Sequence, residues 1–173
     1  PNLVVDAPAS GGATTHPELV AGTIEYLHEN GFRNLRVMEG SWVGSRTTEA
    51  CEVNGLRAVC DRYGVPFVDL QKDTSCAYDA KGMQIRVCDA AMDGAFLINM
   101  PVLKGHCQTS VTCALKNAKG VIPNAEKRRF HTLGLHKPIA HLNTVVRWGF
   151  ILVDNICGDL DFEEGGNPVT MNR

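Results

Sequence analysis

The sequence has no Cys-x-x-Cys pair, although it holds seven cysteines, at positions 51, 60, 76, 88, 107, 113 and 157. Neither a zinc ribbon nor a ferredoxin-type cluster can be read from that spacing. The odd count is irregular for a disulfide framework, so mostly buried thiols in a reducing cytoplasm are expected. Also missing are Gly-x-Gly-x-x-Gly and Gly-x-x-x-x-Gly-Lys-Ser/Thr, the phosphate-cradling turns of dinucleotide and nucleotide sites. Gly-x-Ser-x-Gly does not occur, and Ser41 in Glu-Gly-Ser-Trp lacks that nucleophile elbow. No apolar run approaches a membrane span, and the first residues form no signal peptide. A net charge of −2 and a pI near 6.3 provide no global field for nucleic acid or an acidic membrane. There is no internal repeat and no low-complexity segment.

What is present is 173 residues, 44% apolar and 21% charged, enough for one soluble domain with a real core. The chain starts at Pro1 without an initiator Met and runs out through an acidic, Gly-rich stretch. It is expected to be a piece of something longer, with residues 159–173 as a flexible tail. Short strands are expected at Leu3–Asp6, Leu35–Met38, Val65–Leu70, Met83–Val87, Ala95–Asn99 and Phe150–Asp154. Helices are expected from His16–Pro17 to Asn30–Gly31, with Thr15 as N-cap, then over 47–63, 108–118 and 138–148. Residues 71–80 and 120–129 read as polar loops. Strand and helix in alternation predict βαβ units: a single α/β domain, mainly a parallel sheet with helices on both faces.

Ligands of open α/β sheets bind outside the carboxyl ends of the strands. Pro101 forces the chain out of the ladder, and the segment that follows is dense in chemistry: Lys104, His106, Lys116, Asn117, Lys119, Gly120 and then His131. Neighbouring loops add Thr15, His16, Glu39 and Ser41. Lysines on both sides of His106 disfavour its imidazolium, and a neutral ring is a usable base or metal ligand. Lys116, set in an apolar stretch, is either a partly buried nucleophile or a snorkelling surface lysine. The turn after Lys119, with Lys127–Arg129, offers groups to hold an anion, or is simply solvated. His16 either ligates a metal or caps and packs. Glu39 is either a ligand or base, or a carboxylate bonded to nearby backbone N–H groups. Cys107, next to His106, is either activated by it or a small filler.

Several motifs in one order carry a resemblance. Thr15-His-Pro17, Glu39-Gly-Ser41, Asn99-Met-Pro-Val-Leu-Lys-Gly-His106, Val111-Thr-Cys-Ala-Leu-Lys-Asn117, Gly120-Val-Ile-Pro123, His131 and Leu152-Val-Asp154 together resemble the family called domain of unknown function 362. Asn124 replaces the Gly that usually follows that Pro. The family's ferredoxin-like modules imply an iron–sulfur cluster reached only through a partner or a missing domain. A more distant likeness, over His106, Lys116, Pro123 and His131, is to the lactate racemase family. It implies a divalent metal, nickel there, with His106 as ligand or base, Lys116 as cofactor or substrate anchor and His131 as acid/base partner.

The reading is therefore an enzyme or a cofactor- or metal-handling domain acting on a small anionic molecule. His106, Lys116 and His131 are its expected catalytic residues. Lys104, Asn117, Lys119, Gly120, Thr15 and Ser41 are expected to bind, and His106, His16 and Glu39 to hold a metal. The alternative is a non-catalytic module that docks a ferredoxin-like electron-transfer partner or takes a regulatory ligand. A homodimer through faces such as Trp42-Val43 or the Trp148 region is a further expectation.

Overall fold

The computed structural model describes residues 1–94, 96–161 and 167–170. Ala95, expected to open a strand, and part of the expected tail lie outside them.

Helix α1 is Pro17–Glu29, with Pro at its first position, Glu18 in its first turn and His16 as N-cap. Thr15 does not cap it; its hydroxyl donates to the Met100 carbonyl and accepts from the Asn2 N–H. Strand β1 is Val37–Glu39. The single long helix expected over 47–63 is two, α2 at Thr47–Asn54 and α3 at Leu56–Tyr63. The break is Gly55, whose left-handed φ of 91° ends one helix and redirects the next. Strand β2, Phe67–Asp69, pairs parallel with β1.

Strands β3 (Ser75–Ala80) and β4 (Met83–Cys88) then form an antiparallel hairpin. Lys81 and Gly82 both take positive φ at its two-residue turn, so part of the expected loop 71–80 is strand. A short helix, α4, covers Asp89–Met92, and β5 is Ile98–Asn99. The expected helix over 108–118 is corrected in its first half. Strands β6 (Lys104–His106) and β7 (Ser110–Thr112) form a tight hairpin, and only Ala114–Asn117 is helical, as α5, before a 3-10 turn at Ala118–Val121. The expected loop 120–129 is also corrected, because α6 occupies Asn124–Thr132. Helix α7 is His136–Leu142, and β8, Phe150–Ile151, pairs parallel with β5. Finally β9 (Cys157–Asp159) and β10 (Pro168–Thr170) pair antiparallel. No strand forms at Leu3–Asp6.

The chain is thus an α/β protein whose described strands form five two-stranded pairs, two parallel and three antiparallel. Side chains of β1 and β2 alternate between two apolar clusters. Val37 and Phe67 join Leu3, Val20, Ile24 and Leu56, under α1 and α3. Met38 and Val68 join Ile85, Phe130, Leu135 and Leu142, under α6 and α7. That two-sided burial fixes the exit of β1, where Glu39-Gly40-Ser41 leaves the sheet.

Candidate functional site

A cavity of about 80 Å³ opens at the exit of β1. Its wall comes from five parts of the chain: Asn2, Val4 and Val5; Glu39 to Trp42; His106 and Thr112 of the β6–β7 hairpin; Lys116, Asn117, Lys119 and Gly120; and Lys127 and His131. Local geometry explains the grouping. Lys127 and His131 are four apart on α6 and so share a face. Lys116, Lys119 and Gly120 stand three and four apart across α5 and the 3-10 turn, which brings them to one side. Of the residues expected at the site, the cavity gathers His106, Lys116, His131, Asn117, Lys119, Gly120, Ser41 and Glu39. Thr15, His16 and Lys104 are not among those lining it.

Those three hold the surroundings in place. The backbone N–H and Nδ1 of His16 both meet Asp154 Oδ2, at 2.7 and 2.9 Å. Lys104 is buried and donates to Asn2 Oδ1 at 3.3 Å and to the Ala13 carbonyl. From there an amide chain runs inward: Asn2 Nδ2 donates to Asn117 Oδ1 at 2.6 Å, and Asn117 Nδ2 to Asn99 Oδ1 at 2.8 Å. Each donor in that chain meets an acceptor, so Asn117 is locked in orientation.

Glu39 is 4% exposed and accepts hydrogen bonds from the Gly40 N–H at 2.7 Å and the Leu3 N–H at 3.3 Å. Burial raises its pKa, against the opposing field of Lys127 and these two backbone donors. Lys127, also 4% exposed, donates to the carbonyls of Gly40 at 2.7 Å and Ser41 at 2.8 Å. Burial pulls its pKa down to about 8, with Glu39 resisting. The carboxylate and the ammonium clasp the Gly40–Ser41 backbone between them. Close approach demands glycine twice. A Cβ on Gly40 would stand 2.6 Å from the Gly120 carbonyl oxygen, and one on Gly120 would collide with Glu39 Oε1.

The imidazoles have distinct settings. His106 Nδ1 accepts from the backbone N–H groups of Gln108 at 3.0 Å and Thr109 at 3.1 Å. Two donors leave no place for a proton on Nδ1, so the ring carries its hydrogen on Nε2 and is a donor there. His131 Nε2 lies 2.8 Å from Lys119 Nζ, and its Nδ1 2.9 Å from Gln108 Oε1. With an ammonium on Lys119, Nε2 is the acceptor and Nδ1–H donates to the amide oxygen.

Two hydroxyls on the wall stand out. Among the described residues Ser41 Oγ and Thr112 Oγ1 find no hydrogen-bond partner, and both residues are only 1% exposed. A buried hydroxyl with no partner carries a cost of about 1–3 kcal/mol, which a bound acceptor would relieve. Three lysines, the His106 ring and one carboxylate share the cavity wall.

A metal fits the described residues poorly. No group of three or more His, Cys, Asp or Glu among them could hold one. His16 is committed to Asp154 and Glu39 to backbone N–H groups, so the set expected with His106 is not assembled. All seven cysteines are thiols, none joined in a disulfide, and Cys107 is exposed.

Sequence reasoning missed Asn2 and undervalued Lys127. The spacing of Lys127 and His131 on one helix was the available signal, hidden because the segment read as loop.

No helix among the described residues is long and apolar enough to cross a membrane. No solved structure matches the chain. A thylakoid-associated protein of Synechocystis sp. is 27% identical over 131 residues, which are 76% of this chain and 40% of that protein. The chain therefore spans less than half the length of the curated relative it matches. The family model described as domain of unknown function (DUF362) matches residues 1–173, and the chain belongs to that family.

Proposed function

We propose that this domain binds a small anionic substrate in the cavity at the β1 exit and acts on it with the His and Lys side chains there. The observation that carries the reading is the pair of buried hydroxyls, Ser41 Oγ and Thr112 Oγ1, without partners among the described residues, in a cavity that Lys116, Lys119 and Lys127 also line. An oxyanion would accept from both hydroxyls and from His106 Nε2–H while the ammonium groups balance its charge. His131, set between Lys119 and Gln108, is the group that can take and return a proton. His106 serves as donor rather than base, because its Nδ1 is already filled.

Calorimetric titration with inorganic phosphate and with glyoxylate tests this. Saturable binding is expected, weakened about tenfold or more by Lys116→Gln, the loss of one charge-assisted contact. Absence of saturable binding by the native chain overturns the proposal.

A mainly parallel arrangement is supported by the parallel pairing of β1 with β2 and of β5 with β8. A second reading, docking of a ferredoxin-like partner, draws on an apolar strand edge. Phe150, Ile151, Val153 and Ile156 are all exposed.

A further inference from the structure

We infer that Lys119 is the nucleophilic amine of this cavity, forming a Schiff base with the carbonyl of a small oxo acid. The inference rests on the anion-binding reading and names its substrate class. Three lysines line the cavity, and the partners of Lys127 and Lys119 differ in kind. Lys127 Nζ is tied to two carbonyl oxygens, which can take no proton. Lys119 Nζ lies 2.8 Å from an imidazole nitrogen, which can. His131 is in turn oriented by Gln108, whose side-chain oxygen meets Nδ1 at 2.9 Å and whose backbone N–H is fixed on His106 Nδ1. Nucleophile, base and orienter in hydrogen-bond sequence is the arrangement that activates a side chain for covalent catalysis.

The chemistry balances without a redox partner. His131 Nε2 takes a proton from the Lys119 ammonium. The amine nitrogen forms a bond to the carbonyl carbon, and a proton passes from nitrogen to the former carbonyl oxygen. The imidazolium then returns its proton to that hydroxyl, the C–O bond breaks, and water leaves the protonated imine. The net change is an ammonium and a carbonyl becoming an iminium and water. The carboxylate of an oxo acid would meet the hydroxyls of Ser41 and Thr112, which explains why a carbonyl compound bearing an anion is the class that fits.

The test is reductive trapping with glyoxylate and sodium cyanoborohydride, followed over time by peptide-resolved mass spectrometry. Lys81, exposed in the β3–β4 turn, is the internal reference. Carboxymethylation of Lys119 is expected about 100-fold faster than that of Lys81, the scale of positioned acid–base assistance. His131→Gln should remove most of that advantage, with partial recovery in added imidazole, and Lys119→Arg should leave no preferred site. The inference is overturned if Lys119 is trapped no faster than Lys81 in the native chain, a comparison that depends on no variant folding. It is equally overturned if His131→Gln is trapped at the native rate. Should phosphate titration of the native chain also show no binding, the anion reading fails with it. Where phosphate binds and Lys119 shows no preference, only the Schiff base fails.

Discussion

Thr112 and Lys127 are the two residues at which the site works against the fold. Thr112 Oγ1 is buried without a partner among the described residues, so Thr112→Val, which keeps the shape, should stabilise the chain by about 1 kcal/mol in urea unfolding. The same change should weaken phosphate about tenfold, since a hydroxyl donated to a charged acceptor is lost. A variant that is both less stable and unchanged in affinity would assign Thr112 to packing alone. Lys127 makes a pH prediction. Its folded pKa of about 8 lies below the ordinary lysine value of 10.5. Between those values the unfolded chain binds more protons, so stability from this group rises with pH across that window. Below pH 8 the buried ammonium imposes its full cost, about 3 kcal/mol by linkage. Lys127→Met should flatten the slope between pH 8 and 10. A native-like slope in that variant would locate the titration elsewhere. Neither residue announced its role in the sequence: an unpartnered hydroxyl and a buried ammonium both arise from contacts between distant segments.

Elements were legible where one local rule acted alone. Pro17 and Glu18 open α1, and the loop rule places Glu39–Ser41 at a strand exit, whereas Lys104 to His106, expected in a loop beyond one, form β6. The failures share a cause, which is that two local tendencies competed. Val111 and Thr112 are β-branched and form a hairpin strand where a helix of small and β-branched residues is expected. Lys127-Arg-Arg looked like a solvated loop, yet Glu126 in the first turn and the fully buried Phe130 mark a helix after Pro123. The α6 error mattered most, because it hid the shared face of Lys127 and His131. The 3-10 turn at Ala118–Val121 sets the other wall, and its tolerance is small. Gly120→Ala places a methyl against Glu39 Oε1, so a loss of about 1–3 kcal/mol is expected together with loss of phosphate binding. Thermal unfolding and calorimetry check both. An unperturbed Gly120→Ala variant would mean that Glu39 moves freely and does not define the wall.

For the molecule as a whole, the cavity and the exposed apolar edge are separate features with separate consequences. Phe150 and Ile151 form β8, a two-residue strand paired only with β5 among the described residues, and Val153 and Ile156 extend the apolar surface beyond it. None of these four lines the cavity. An apolar strand edge left in water invites another chain to pair with it. Changing Phe150 and Ile151 together to Asn tests whether the two features are coupled. Phosphate affinity is expected to stay within twofold of native, since no contact in the cavity changes. Binding of a small ferredoxin, followed by calorimetry, should be lost if this edge is the docking face. If phosphate affinity falls instead, the strand reaches the cavity through β5, whose Asn99 holds Asn117 in place. The domain would then be one coupled unit in which the partner face and the anion site report on each other. Independent outcomes would leave the anion site as a property of the β1 exit alone, built by the clasp of Glu39 and Lys127 on the Gly40–Ser41 backbone.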